Sequence, residues 1–252
     1  MTYRKAYQLY SSRNFPPLAD QLPILKEMGY DAIEPWLPAY ETDPALFRRQ
    51  LDDAGLDCYG FHMPLAGLVD EPDRFVDIAQ TLGATYLIPP YVTAEEREPT
   101  VAYWRRLGEK LARGAEAAAR HGLQVAWHNH DFEFVPLDDG SRPIDHIFDA
   151  GGPGVKFEID CGWIVRAGAD PAAELEKFAD RIVVIQTKDT APLGTKEDDG
   201  WTATGDGIID WAGLVPLFRK TKADHIVTEH DNPSDWQAFA RRSIEHLKAL
   251  GL

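Results

Sequence analysis

VAWHNHDFEF, residues 125–134, reads as an apolar strand that runs into chemistry: His128, Asn129, His130, Asp131 and Glu133 crowd together at its end. Imidazole and carboxylate side chains side by side are the raw material of a metal site or an acid/base pair. The segment before it contains WRRLGEKLARGAEAAARHG and has helical length, spanning roughly 97–121, with Gly122 placed to end it. A helix that feeds a strand with a polar tip is one step of a βα repeat.

Working outward, the same step recurs along the chain. Strands are predicted at 6–10, 32–36, 56–62, 84–91, 123–130, 155–160, 181–189 and 225–231. Pro16 and Pro17 open the first helix, which stops at Gly29. Asp43 is the expected N-cap of a helix over 43–55, with Pro44 at its first position. Further helices are predicted at 71–83, 143–149, 170–180, 210–221 and 234–250, and a glycine-containing loop fills 190–209. Eight such units in 252 residues predict an α/β protein, a single-domain (β/α)8 TIM barrel over 1–252 with right-handed crossovers. An open doubly wound sheet fits less well, because the first turn, SSRNFPP, has no glycine.

The bulk composition narrows the partners. A 44 % hydrophobic content supports a sizeable core, and no apolar run approaches the ~20 residues of a membrane span. MTYRKAYQLY lacks the apolar stretch of a signal peptide, and Cys58 and Cys161 suggest free thiols, so a cytoplasmic enzyme is expected. A net charge of −15 argues against nucleic acid and for a small neutral molecule or one held by a cation.

In a (β/α)8 barrel the site lies at the C-terminal ends of the strands. Those ends read Gln8 and Tyr10, Glu34, His62, Tyr91, His128 and His130, Glu158 and Asp160, Gln186 and Lys188, and Glu229 and Asp231. A spacing of two puts both members of a pair on one face. Carboxylates converging on a barrel mouth call for a cation. Glu133, Asp160 and Glu229, with an amide or nitrogen ligand, would suit Mn, Mg or Co. Trp36, Tyr91 and Trp163 are candidate stacking surfaces for a sugar, with core packing as the alternative for each, and His62 is a candidate to orient a hydroxyl. Glu158 is left open between a partner of Asp160's site and a neighbour-strand contact.

The strings WHNHDFEF, FEIDCGWIVRAGADP, QTKD, TGDGIIDW and VTEHDNP, with AYQLYSSR, MGYDAIE and GLDCYGFHMPL earlier, resemble the xylose-isomerase-like barrel family nearly end to end. That family is often labelled sugar phosphate isomerase/epimerase; the HNH…EF string resembles one of its branches. The resemblance implies a divalent metal held by Glu, Asp, His and Glu from the later strands. Residue by residue this gives Glu133, Asp160 and Glu229. The family's His-x-Lys-Asp at strand seven is here Gln186-Thr187-Lys188-Asp189. Either Gln186 coordinates through its amide oxygen, or the metal is weaker or absent.

The resemblance further implies proton transfer beside a carbonyl. The expected activity is a metal-dependent isomerase or epimerase of a sugar or keto sugar through an ene-diolate. Glu133, Glu229, His128 or His130 would be the base, and Lys188 a counter-ion or substrate contact. The alternative is a lyase, dehydratase or hydratase acting on a 3-keto sugar or keto glycoside, and the third reading is a non-catalytic sugar-binding barrel. Asp206, Asp210, Asp231 and Asp235 in the last loops disfavour a phosphorylated substrate. Relatives commonly associate, so a homo-oligomer is an open expectation.

Overall fold

The computed structural model describes residues 3–192 and 194–252. Eight parallel strands form the barrel: β1 Arg4–Gln8, β2 Ala32–Glu34, β3 in two pieces, Asp57–Cys58 and Gly60–His62, β4 Tyr86–Ile88, β5 Gln124–His128, β6 Val155–Asp160, β7 Ile182–Gln186 and β8 His225–Thr228. The ring closes through the divided β3. Its first piece pairs with β2 and its second with β4, and β1 pairs with β8 on the other side. The longer helices that follow the strands are α1 Gln21–Met28, α2 Pro44–Ala54, α3 Pro72–Leu82, α4 Val101–Ala119, α5 Pro143–Gly151, α6 Pro171–Lys177, α7 Trp211–Phe218 and α8 Trp236–Ala249, with short helical turns at Leu37–Tyr40, Gly67–Asp70 and Cys161–Arg166.

Strand boundaries are shorter than the sequence suggests, for identifiable reasons. Strand one ends at Gln8, because the Gln8 side chain accepts the Tyr10 N–H and turns Leu9–Ser12 into a 3-10 turn. Strand two stops at Glu34 before Pro35, and strand four at Ile88 before Pro89 and Pro90, which have no N–H to continue a ladder. The helix expected from 97 starts at Val101, with Thr100 capping Tyr103 N. Asp43 caps Leu46 N as the sequence predicts, and Gly29 ends α1 at φ 102°. The loop over 190–209 is not structureless. Asp189–Thr190 pairs with Trp201–Thr202 as a short antiparallel ribbon. The Asp189 carboxylate ties the far end down by accepting from Gly205 N at 2.9 Å and Trp211 Nε1 at 2.7 Å.

Alternation along the strands sorts two apolar layers. Ile33, Val125, Trp127, Phe157, Ile159, Ile185 and Ile226 belong to the large core beneath the helices. Ala6, Ala32, Tyr59, Tyr86, Ala126, Val184 and Val227 form a separate cluster that plugs the barrel. Continuing the same inward positions by two residues gives Gln8, Glu34, His128, Gln186 and Glu229, so the layer above the plug is polar.

One close approach fixes how α4 meets α5. A Cβ on Gly108 would fall 2.3 Å from the Ile147 carbonyl oxygen and 2.9 Å from Gly151 N, both backbone atoms. Gly108→Ala is expected to destabilise the protein by about 1–3 kcal/mol, read from the denaturant midpoint. An unchanged midpoint would show that the two helices can separate freely.

Candidate active site

The inward polar layer is almost wholly buried. Gln8, Glu34, Glu158, Asp160 and Gln186 are completely inaccessible, and His128 is 2 % and Glu229 5 % exposed. Ligating atoms of His128, Asp160 and Glu229 come within 4.8 Å of one another. Gln186 stands in register with Asp160 on one side and Val227 on the other, so its amide sits on the strand between those of Asp160 and Glu229. Both atoms of that amide, and Asp160 Oδ2, are buried without a hydrogen-bond partner. Each unsatisfied buried group of this kind costs roughly 1–3 kcal/mol. One imidazole, two carboxylates and an amide oxygen make a donor set that fits a divalent cation, and the orphaned acceptors are what such an ion would satisfy.

One expected ligand, Glu133, lies apart from the three grouped side chains. Its Oε1 accepts from Trp127 Nε1 at 3.0 Å and its Oε2 from His130 N at 2.9 Å, which folds the HDFEF turn back on the strand. Burial pushes its carboxyl up to about 8, against the pull of those two N–H groups. Both of its oxygens thus hold the turn against the strand. His128, the last residue of β5, stands at the cluster instead.

A second close group, His62, His128 and Glu158, needs no ion. Glu158 Oε1 accepts from His128 Nδ1 at 2.9 Å and lies 3.1 Å from His62 Nε2. His62 Nε2 is also 3.1 Å from Glu34 Oε1. Burial alone would lower the His62 imidazole, but Glu34 and Glu158 outweigh it and hold it well above its ordinary value. His62 Nε2 is therefore engaged by the two carboxylates in the barrel interior, while the residue also borders the cavity described below.

Lys188 is buried beneath Trp163 and Trp201, with Nζ 4.8 and 4.4 Å from their ring centres. It pairs with Asp231 and lies 3.6 Å from Glu229. Burial would lower its ammonium, but Asp231, Glu229 and Asp160 together raise it. Burial raises Glu229 to about 6 despite Lys188, and raises Asp160 well above the usual carboxylate range. The backbone is held close here. A Cβ on Gly162 would lie 2.5 Å from the Lys188 carbonyl oxygen, so the helical turn after Asp160 can pack on the segment just past β7 only with glycine at that place.

The cluster opens into a cavity of about 530 Å³. Trp36, His62, Tyr91, His128, His130, Trp163 and Glu229 all border it, so the aromatic residues singled out by the sequence surround one space with four of the ionisable ones. Tyr10, Met63 and Asp231 also line it, and Tyr10 was legible only as a polar strand end. Asp160, Gln186 and Lys188 sit behind the lining. His130 lies against Tyr91, Phe132 and Trp163, with ring centres 5.0–5.7 Å away. Burial, then His128 and Lys188, push its imidazole well below the ordinary value, so it is neutral near pH 7. Among the described residues, no helix is long and apolar enough to cross a membrane.

A family model described as a xylose isomerase-like TIM barrel matches residues 22–250. Two curated relatives are similar in sequence. The rhizopine catabolism protein MocC of Rhizobium meliloti is 28 % identical over 131 residues, 47 % of this chain and 39 % of its own length. The inosose dehydratase of Geobacillus kaustophilus is 26 % identical over 231 residues, 78 % of this chain and 73 % of its own length. Among solved structures, a sugar phosphate isomerase/epimerase from Parabacteroides distasonis superposes with a TM-score of 0.84 at 18 % identity, covering 99 % of this chain and 95 % of that one. The IOLI protein with a binding zinc atom superposes at 0.76 and 16 % identity, over 98 % of this chain and 96 % of that one.

Proposed function

The chain belongs to the xylose isomerase-like TIM barrel family, and from that premise we propose that it is a divalent-metal-dependent dehydratase of an unphosphorylated cyclic polyhydroxy ketone or keto sugar. The observation that carries the reading is the His128, Asp160 and Glu229 cluster opening beside a neutral His130 on one cavity. The inosose dehydratase likeness over 78 % of the chain supports a lyase over the isomerase or epimerase that the sequence first suggests.

His128, Asp160, Gln186 and Glu229 would hold the cation, of the Mn, Mg or Co class. When bound, it supplies Lewis-acid polarisation of carbonyl and hydroxyl oxygens. His130, kept unprotonated by burial and by His128 and Lys188 nearby, takes the proton from the carbon beside the carbonyl. The electron pair left behind forms the new double bond as the hydroxyl on the next carbon departs with the proton that His130 returns, so water is lost, and the enol that results takes up a solvent proton as it ketonises. Lys188 keeps Asp231 and Glu229 charged, and Trp36, Tyr91 and Trp163 present flat faces to the ring and restrict water. The Gly205 amide, the kind of group that would cradle a phosphate, is spent on Asp189, which supports an unphosphorylated substrate.

The test is proton NMR in D2O of Mn-loaded protein with polyhydroxylated cyclic ketones and keto sugars. Loss of a β-hydroxyl with solvent deuterium in the product is expected, and His130→Ala should lower kcat by about 10²–10⁴-fold at unchanged metal content. Products that retain every hydroxyl and differ only in configuration would return the protein to the isomerase reading.

A further inference from the structure

We propose that Glu158 is a positioning residue for the cation site, one that fixes which nitrogen of His128 faces Asp160 and Glu229. The proposal rests on the metal-dependent reading above. His128 and Glu158 are register partners on β5 and β6, both facing the barrel interior. A carboxylate can only accept, so Glu158 Oε1 at 2.9 Å requires the His128 proton on Nδ1. In the neutral ring this leaves the Nε2 lone pair for a cation.

The direction of that bond is set by a longer string. Gln8 Oε1 accepts from Tyr10 N at 3.1 Å, which fixes the amide so that Gln8 Nε2 donates to Glu34 Oε1 at 2.7 Å. The Tyr59 hydroxyl donates to Glu34 Oε2 at 2.5 Å. Glu34 Oε1 and Glu158 Oε1 then both lie 3.1 Å from His62 Nε2. Donors therefore converge on the two carboxylates from Gln8, Tyr59, His62 and His128, and the orientation of His128 is anchored through the barrel interior. Glu158 Oε2 remains buried and unpartnered. A carboxylate in that state is costly to hold unless its charge is used. Lending basicity and a fixed tautomer to a ligating imidazole is such a use.

The test uses the full chain and Co2+ as probe, with nitrogen NMR of the His128 ring in metal-free protein and Co2+ affinity by chelator competition. Wild type is expected to carry the His128 proton on Nδ1. Glu158→Leu should mix or invert the tautomer and weaken Co2+ about 10–100-fold, with a changed visible spectrum; Glu158→Gln should weaken it less. If Glu158→Leu does not fold, Glu158→Gln alone carries the test through the same two readouts. A folded variant with the wild-type tautomer and wild-type affinity overturns the proposal and leaves the metal reading standing. Wild-type protein that binds no Co2+ overturns both.

Discussion

Asp160→Asn is expected to bind its cation poorly and to lose about 10³-fold or more in turnover, the equivalent of roughly 4 kcal/mol of lost charge stabilisation. The substitution is chosen because it changes little else. Asp160 Oδ1 caps the turn after β6 by accepting Trp163 N at 2.9 Å, and an asparagine oxygen can do the same. What disappears is the charge of the buried carboxylate. Burial raises the Asp160 pKa well above its ordinary value, so without a cation its ionised form is disfavoured in the fold. A raised carboxyl pKa means the folded state binds the proton more tightly, so this group's contribution falls as pH rises above about 3.8. Metal-free Asp160→Asn should therefore melt no lower than metal-free wild type at pH 7, while its metal content and activity collapse. Equal metal content and turnover in the two proteins would remove Asp160 from the site.

Lys188→Met is the second large effect, and it acts on stability. The ammonium is fully buried and faces Asp231, Glu229 and Asp160. Removing one member of a buried charge set leaves the others uncompensated, which costs about 3–5 kcal/mol. The shifts agree in sign. Asp231 would be raised by burial, but Lys188 holds it below its ordinary value, while Lys188 itself is held above its own. The stabilisation from Lys188 is thus complete below about 10.5 and is lost as pH rises through its folded value; that from Asp231 is present above about 3.8 and lost as pH falls. Denaturant melts at pH 7 measure the loss, and Asp231→Asn added to Lys188→Met should recover part of it. A Lys188→Met protein as stable as wild type would mean that water already screens this cluster.

The order of the eight units is legible in the sequence because apolar alternation and glycine stops are local. The boundaries are less so, since they depend on a side chain bonding its own backbone, as Gln8 does with Tyr10, or on a proline denying an N–H, as at Pro35 and Pro89. The same distinction explains the site. His128 shares a face with Ala126 by simple alternation, so its inward direction could be read from the strand. Glu133 lies past the strand in a turn, where alternation no longer applies, and its contact with Trp127 is set by how the chain folds back. The pairing of Lys188 with Asp231 spans 43 residues and two strands, and no spacing rule reaches that far. Asp160 and Glu229, which end or follow strands, lie together with His128, whereas Glu133 lies in a turn apart from them, and the departure from the family's histidine falls at a strand end, Gln186.

The divided β3 has a consequence for how this protein could diversify. β5 to β8 run four to six residues each and carry His128, Asp160, Gln186 and Glu229 or lead directly to them. β2 and β4 have three residues each and β3 is broken at Tyr59; beyond their ends stand Trp36 and Tyr91. The half from β5 to β8 is the stiffer frame and carries the close His128, Asp160 and Glu229 group, and the other is a short-stranded rim from which Trp36 and Tyr91 border the cavity. Insertions or new side chains on that rim can redraw what fits the mouth while the reacting groups keep their spacing, so substrate range and reaction type are free to drift apart.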